Sequence, residues 1–180
     1  LDILRILADE THMHSVFARA IPLQGGAYGV GILSKEKPLS VRRVPLPGRE
    51  EARVLLVVEF EKYYMGCTHL SLTPEDQLAS LPLIRNLAAS LDKPFFLAGD
   101  WNATPGTPFI QNIQKDFTLL NGVKEHTWPS DKPEELLDYV AVWKSTAKHV
   151  SLKSTHVVPD SITSDHRPVC VTVRLEKTKR

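Results

Sequence analysis

The stretch Phe95-Phe96-Leu97-Ala98-Gly99-Asp100-Trp101-Asn102-Ala103-Thr104-Pro105 constrains this chain more than any other. A run that is mostly apolar on both faces belongs in the middle of a sheet, covered on both sides. Here it runs into a glycine, then an aspartate and an asparagine one residue apart, and a Pro-Gly turn closes it. In an extended strand end, Asp100 and Asn102 point the same way because side chains alternate. A carboxylate and an amide side by side at a strand tip can hold a metal ion, a phosphate or an attacking water. The same residues also suit an Asx-type turn that merely caps the strand.

Three other stretches bear on that choice. Thr163-Ser164-Asp165-His166-Arg167-Pro168 sets an acid beside an imidazole, just before the alternating strand Val169 to Leu175. Leu136-Leu137-Asp138-Tyr139-Val140-Ala141-Val142 places one acid inside an apolar strand. A carboxylate there is expensive to bury without a partner, and the cheapest partner available is an imidazolium. Tyr63-Tyr64-Met65-Gly66-Cys67-Thr68-His69-Leu70 is a strand that ends on a histidine.

Together, Gly99-Asp100-Trp101-Asn102, Leu137-Asp138-Tyr139, Ser164-Asp165-His166-Arg167-Pro168 and Thr68-His69-Leu70 resemble the endonuclease/exonuclease/phosphatase superfamily. These are the deoxyribonuclease-like, metal-dependent phosphoesterases, and the elements occur in the order the family uses. The resemblance runs from about Leu1 to Leu175. It implies divalent-metal-dependent hydrolysis of phosphate esters, with water attacking phosphorus in line. Asp100 would orient or deprotonate the water, and Asn102 would position Asp100 and touch the phosphate. His166 would contact the phosphate or act as base. Asp138 would hold the His166 ring within hydrogen-bond reach and favour its charged form. His69 would donate to a phosphate oxygen or protonate the leaving group. The implied metal is Mg²⁺ or Mn²⁺, held by Asp165, Asp100 and Asn102, because these ligands are oxygen-rich. Family members open with a strand carrying an Asn, then a strand ending in Gln-Glu whose glutamate binds the metal. Neither appears in these residues, so the chain is expected to be most of a domain. It is also expected to turn over esters poorly alone, and to have exposed strand edges open to self-association.

Composition narrows the substrate only a little. A net charge of +1 gives no strong steering toward nucleic acid. A small phosphate ester is therefore the first reading, a metal-dependent nuclease the second, and a non-catalytic fragment or binding module the third. No apolar run is long enough to span a membrane. The chain starts at Leu1, so any signal peptide or anchor would lie ahead of it, a secreted or periplasmic location is one option, and the compartment stays open. Cys67 and Cys170 each sit in an expected strand, as small buried hydrophobes or as a disulfide.

The 180 residues fit one domain. Strands outnumber helices. Leu1 to Glu10 carries a helical stripe without an N-cap ahead of it. Strands are expected at 16–20, 27–34 and 40–46, with a turn at Gly25-Gly26. A hairpin at 53–60 and 63–70 comes next, then a helix from Thr73, as N-cap, to about Leu91. Further strands are expected at 95–100, 117–120, 135–143, 150–158 and 167–175, with a short helix near 109–114. Two packed sheets with peripheral helices make an α+β fold. Family resemblance makes it the four-layer α/β/β/α sandwich of two mixed β-sheets flanked by helices, with the site at one mouth. Arg49, Glu50 and Glu51 read as a solvated hairpin end, and Arg53 as support for the site. His12, His14, His126, His149 and His156 read as surface or packing residues. Trp101 and Trp128 read as lining the mouth or packing the core.

Overall fold

A computed structural model describes residues 2–176, so Leu1 and the basic tail expected to fray at 177–180 lie outside it. The initial apolar stripe forms α1 (Ile3–Thr11), which does have a cap: Asp2 accepts from the Arg5 amide at 3.1 Å. A hairpin follows, β1 (His14–Leu23) and β2 (Gly26–Ser34), turning at Gln24 and Gly25, both with positive φ. Then come β3 (Ser40–Leu46), β4 (Arg53–Glu59), β5 (Tyr64–Thr68), α2 (Pro74–Ala89) and β6 (Phe95–Asp100). The chain continues with α3 (Pro108–Ile113), β7 (Phe117–Leu119), β8 (Asp138–Trp143), β9 (Val150–Val157) and β10 (Val169–Leu175).

Six strands form one mixed sheet in the order β3-β4-β5-β6-β8-β7. The apolar stretch at 95–97 is central in it: β6 runs parallel to β5 and antiparallel to β8. The parallel step from β5 to β6 needs a crossover, and α2 supplies it. Alternation then splits the core in two. Leu55, Val57, Phe95 and Leu97 face Leu81, Ile84 and Ala88 of α2 and Phe109, Ile110 and Ile113 of α3. On the opposite face, Val54, Leu56 and Val58 pack against Ala18 and Ile32 of the β1–β2 hairpin. Phe96 and Val142 pack there against Val171 and Val173 of the β9–β10 hairpin. Helix α1 lies on β1 and β2. The layers are therefore helix, sheet, hairpins, helix, an α+β sandwich whose second layer consists of two separate antiparallel hairpins.

Three local expectations change. Trp101 is fully buried and stacks on Tyr139 at 4.8 Å between ring centroids, so it is core and not mouth. Cys67 and Cys170 are both free, and Cys170 is exposed where a buried residue was expected. Thr73 makes no side-chain cap bond, because its hydroxyl turns toward Glu50 at 3.4 Å.

Gly99 ties this fold to its polar end. Its φ is +137°, and a Cβ there would lie 1.9 Å from the Thr68 carbonyl oxygen of β5. Only a residue without Cβ lets β6 press this close. Gly99→Ala should destabilise the protein by about 2–4 kcal/mol, from left-handed strain plus forced backbone movement. Denaturant melts check this, and a loss below about 0.5 kcal/mol would contradict the close approach.

Candidate active site

Asp100 closes β6 and Asp138 opens β8, and the two are paired directly across the sheet. Two carboxylates in that position repel. The loop before β10 brings His166 to both of them. Its Nδ1 lies 2.7 Å from Asp138 Oδ2, and its Nε2 lies 3.9 Å from Asp100 Oδ2. His69, just past the end of β5, sets its own Nε2 at 3.4 Å from the same Asp100 oxygen. The other Asp100 oxygen accepts from the Asn102 amide at 2.8 Å.

That last bond is an Asx turn. Asn102 has φ +48°, so the chain leaves the extended state after Asp100. The side chain of Asn102 therefore does not run parallel to that of Asp100. Its Nδ2 donates to the Leu70 carbonyl at 2.9 Å and laces the end of β6 to the residues after β5. The Leu70 amide in turn donates to Asp100 O at 3.0 Å. Gln77, buried in the first turn of α2, donates Nε2 to both Ser71 O and Asn102 O at 2.8 Å.

The loop carrying His166 is pinned from the 127–130 segment, in which the sequence marked Trp128 but neither Thr127 nor Ser130. Arg167 donates its amide to Thr127 O at 2.8 Å and its Nε to Ser130 O at 2.7 Å. The Ser130 amide donates to Asp165 O at 2.8 Å. The buried Thr127 hydroxyl accepts from the amides of Leu137 and Asp138. Asp165 itself is exposed, its carboxylate 3.4 Å from Ser164 Oγ, so its side chain stands at the rim.

Behind His69 lies a charged network where a solvated hairpin end was expected. Glu50 accepts from Ser71 Oγ at 2.8 Å, Leu72 N at 2.7 Å and Arg53 Nη2 at 3.1 Å. Burial alone would raise the Glu50 carboxyl, but these bonds take it down to about 2. Arg53 is 5% exposed and also pairs with Glu51 at 2.9 Å. Arg49 pairs with Asp76 at 2.9 Å. Tyr28 of β2 places its hydroxyl 3.2 Å from His69 Nδ1. Nothing local to the 27–34 strand singles out that tyrosine. The remaining histidines, His12, His14, His126, His149 and His156, are all exposed, and so is Trp128.

The electrostatics separate the two imidazoles. Burial would lower the His166 pKa, but the hydrogen bond and charge of Asp138 outweigh it and raise it. Burial lowers that of His69, and Asp100 does not offset the loss. Burial also pushes the Asp100 carboxyl up, against the Asn102 amide bond and the two histidines. A half-buried carboxylate of this kind is short of positive charge.

The chain matches the model of the endonuclease/exonuclease/phosphatase family over residues 3–166. It belongs to that family. Among proteins of curated function, none matches it by sequence. Solved structures share its fold. A functionally unknown conserved protein from Enterococcus faecalis V583 is 22% identical with a TM-score of 0.79, covering 96% of this chain and 81% of that one. The mannosyl-6-phosphatase Bt3783 of Bacteroides thetaiotaomicron is 15% identical with a TM-score of 0.72, covering 96% and 81%. ANGEL2, a 2',3'-cyclic phosphatase, is 15% identical with a TM-score of 0.71, covering 96% and 77%. Family membership makes the protein a phosphoesterase-type hydrolase at the level of class.

Members of this family generally use a divalent metal. Among the described residues, no group of three or more His, Cys, Asp or Glu side chains is arranged to hold one. The donor set still fits an ion of the Mg²⁺ type, which keeps several waters and takes one or two carboxylates plus substrate oxygens. Asp100, short of positive charge, is the group that would hold it. Asn102 keeps Oδ1 for such a role, since Nδ2 is the atom that donates to Leu70.

Asp138→Asn should lower the His166 pKa, read by NMR titration. The raised pKa of His166 contributes stability that is fully present below the unfolded value near 6.5. That contribution is lost as pH rises through the folded value. The Tm gap between wild type and Asp138→Asn should therefore be wider at about pH 5.5 than at about pH 8.5. A gap independent of pH would contradict the pairing.

Proposed function

We propose that the protein hydrolyses a small phosphate ester, mono- or diester, by in-line attack of water on phosphorus, with Mg²⁺ or Mn²⁺ as cofactor. The observation that carries this reading is the chain Asp138, His166, Asp100, with His69 on the same Asp100 oxygen. Asp100 orients the attacking water and takes its proton. The new P–O bond forms as the ester P–O bond breaks. His166, held charged by Asp138, gives its Nε2 proton to the leaving oxygen. The proton on Asp100 then returns to His166 through one water across the 3.9 Å gap, and both groups are reset. His69 donates from Nε2 to a phosphate oxygen. The bound ion would supply Lewis-acid charge at the phosphate oxygens. Asp165, at the rim, is the further carboxylate within the same loop for the ion or its waters.

The near-neutral net charge favours a small ester over duplex nucleic acid. The test is an assay of p-nitrophenyl phosphate, bis(p-nitrophenyl) phosphate and DNA oligonucleotides with Mg²⁺ or Mn²⁺, and again after chelation. Turnover of a small ester is expected, slow from these 180 residues alone and faster from a chain that also carries the family's opening strands, and chelation should abolish it. His166→Ala and Asp100→Asn should each lower kcat by about 10²–10⁴-fold. Turnover of DNA alone would replace the small ester by a nuclease substrate. Phosphate binding without turnover of any substrate would make this a binding module.

A further inference from the structure

The two imidazoles present the same ring atom to Asp100, but different groups hold them from behind. His166 is held at Nδ1 by the Asp138 carboxylate, and His69 at Nδ1 by the Tyr28 hydroxyl. The difference fixes proton positions. A neutral imidazole has one N–H and one bare nitrogen. The Nε2 of His69 faces a carboxylate oxygen at 3.4 Å, an atom that only accepts, so the ring proton belongs on Nε2. The Nδ1 is then the bare nitrogen, and the Tyr28 hydroxyl 3.2 Å away must be the donor. We propose that Tyr28 is a positioning residue: its hydroxyl donates to Nδ1 of His69 and keeps the ring's proton on Nε2, aimed at Asp100 and the reacting phosphate. This assignment rests on the phosphoesterase reading for its effect on turnover, though not for the proton position itself.

Several features place Tyr28 for this task. The β1–β2 register shifts between Arg19 and Ile21, and Tyr28 pairs with Ile21 directly after the shift. A bulge of this kind re-aims the side chains beside it. Gly29 follows, where a Cβ would lie 2.0 Å from the Ala18 carbonyl oxygen, so the two strands approach closely at that point. The hairpin is fastened to the large sheet by Ala18 and Ile32 packed on Val54 and Leu56. Arg43 of β3 adds bonds to Phe17 O at 2.8 and 3.0 Å. The tyrosine ring meets the His69 ring edge-on, centroids 6.4 Å apart and planes at 66°. Only the hydroxyl, and not the ring face, addresses the imidazole. An acceptor-only carboxylate in this place would draw the proton to Nδ1 and leave Nε2 bare or the ring charged. A phenol can donate to Nδ1, and the ring's proton stays forward.

The test is Tyr28→Phe, which removes the donor and keeps the ring. Histidine-selective ¹⁵N NMR should show His69 of the wild type with its proton on Nε2, and a mixture of tautomers in the variant. The kcat should fall about tenfold, as for other groups that orient a catalytic imidazole. KM should stay within about twofold, because ground-state binding is not the target. In a His69→Ala background, Tyr28→Phe should have no further effect, since neighbours acting through one group are not additive. A wild-type His69 protonated on Nδ1 would overturn the proposal, as would an equal loss of activity from Tyr28→Phe in both backgrounds. If the wild type hydrolyses no phosphate ester, the phosphoesterase reading fails, and the NMR arm alone decides the Tyr28 assignment.

Discussion

Two carboxylates facing each other across neighbouring strands are the constraint around which this end of the molecule is built. Asp100 and Asp138 occupy one pair of the β6–β8 ladder. A pair of like charges at that spacing disfavours the very register that places them there. The register survives because apolar pairs on the same ladder, Phe96 with Val142 and Leu97 with Ala141, hold it in the core. The residual repulsion is relieved by His166, which bonds one acid and faces the other. The acids therefore depend on a loop far along the chain, and that loop depends on Thr127 and Ser130. The site closes only when the last hairpin and the segment before β8 have both docked.

A division of labour follows. The six-stranded sheet supplies position through Gly99 and the backbone lacing of Leu70, Asp100 and Asn102. The connecting segments supply charge. Glu50 and Arg53 form an ion network near His69, and Glu50 is held to about 2, so it stays ionised over the whole working range. The two imidazoles consequently sit in unlike fields, one backed by a carboxylate and one by a phenol near a buried arginine. Environments that push two like groups apart in proton affinity let a single fold provide both an acid and a neutral donor.

Much of this was legible in the residues, and the parts that were not share a cause. Alternation and punctuation are local signals, so the strands at 40–46, 95–100 and 150–158 emerge within a residue or two of where they were expected. The pairing of Asp138 with His166 was also readable, because a lone acid in an apolar strand demands a partner. Asn102 was misjudged as extended because alternation was carried two residues past the strand, where the Asx turn takes over. Thr73 looked like a cap by local preference, but Glu50, distant in sequence, competes for its hydroxyl. Glu50 itself looked solvated because its partners Ser71 and Leu72 come from the far side of a hairpin. Tyr28, Thr127 and Ser130 carry no local mark at all: their roles exist only once β2 meets the end of β5 and the 127–130 segment meets Arg167. Pattern reports which face a residue turns to the core, and contact between distant segments decides what a polar residue does there.

The charge count of the site gives the remaining constraint on its chemistry. Asp100 and Asp138 together carry more negative charge than His166 alone can balance, and burial keeps His69 on its neutral side. Asp165 at the rim adds to the deficit. A phosphate ester brings further negative charge to that place, and in a half-buried setting the repulsion is poorly screened. On the proposed phosphoesterase reading, binding a phosphate there would call for a cation beyond those the described side chains offer. Arg53 cannot serve, since Glu50 and Glu51 already claim it. A small divalent ion held at Asp100 would meet that deficit with few protein ligands.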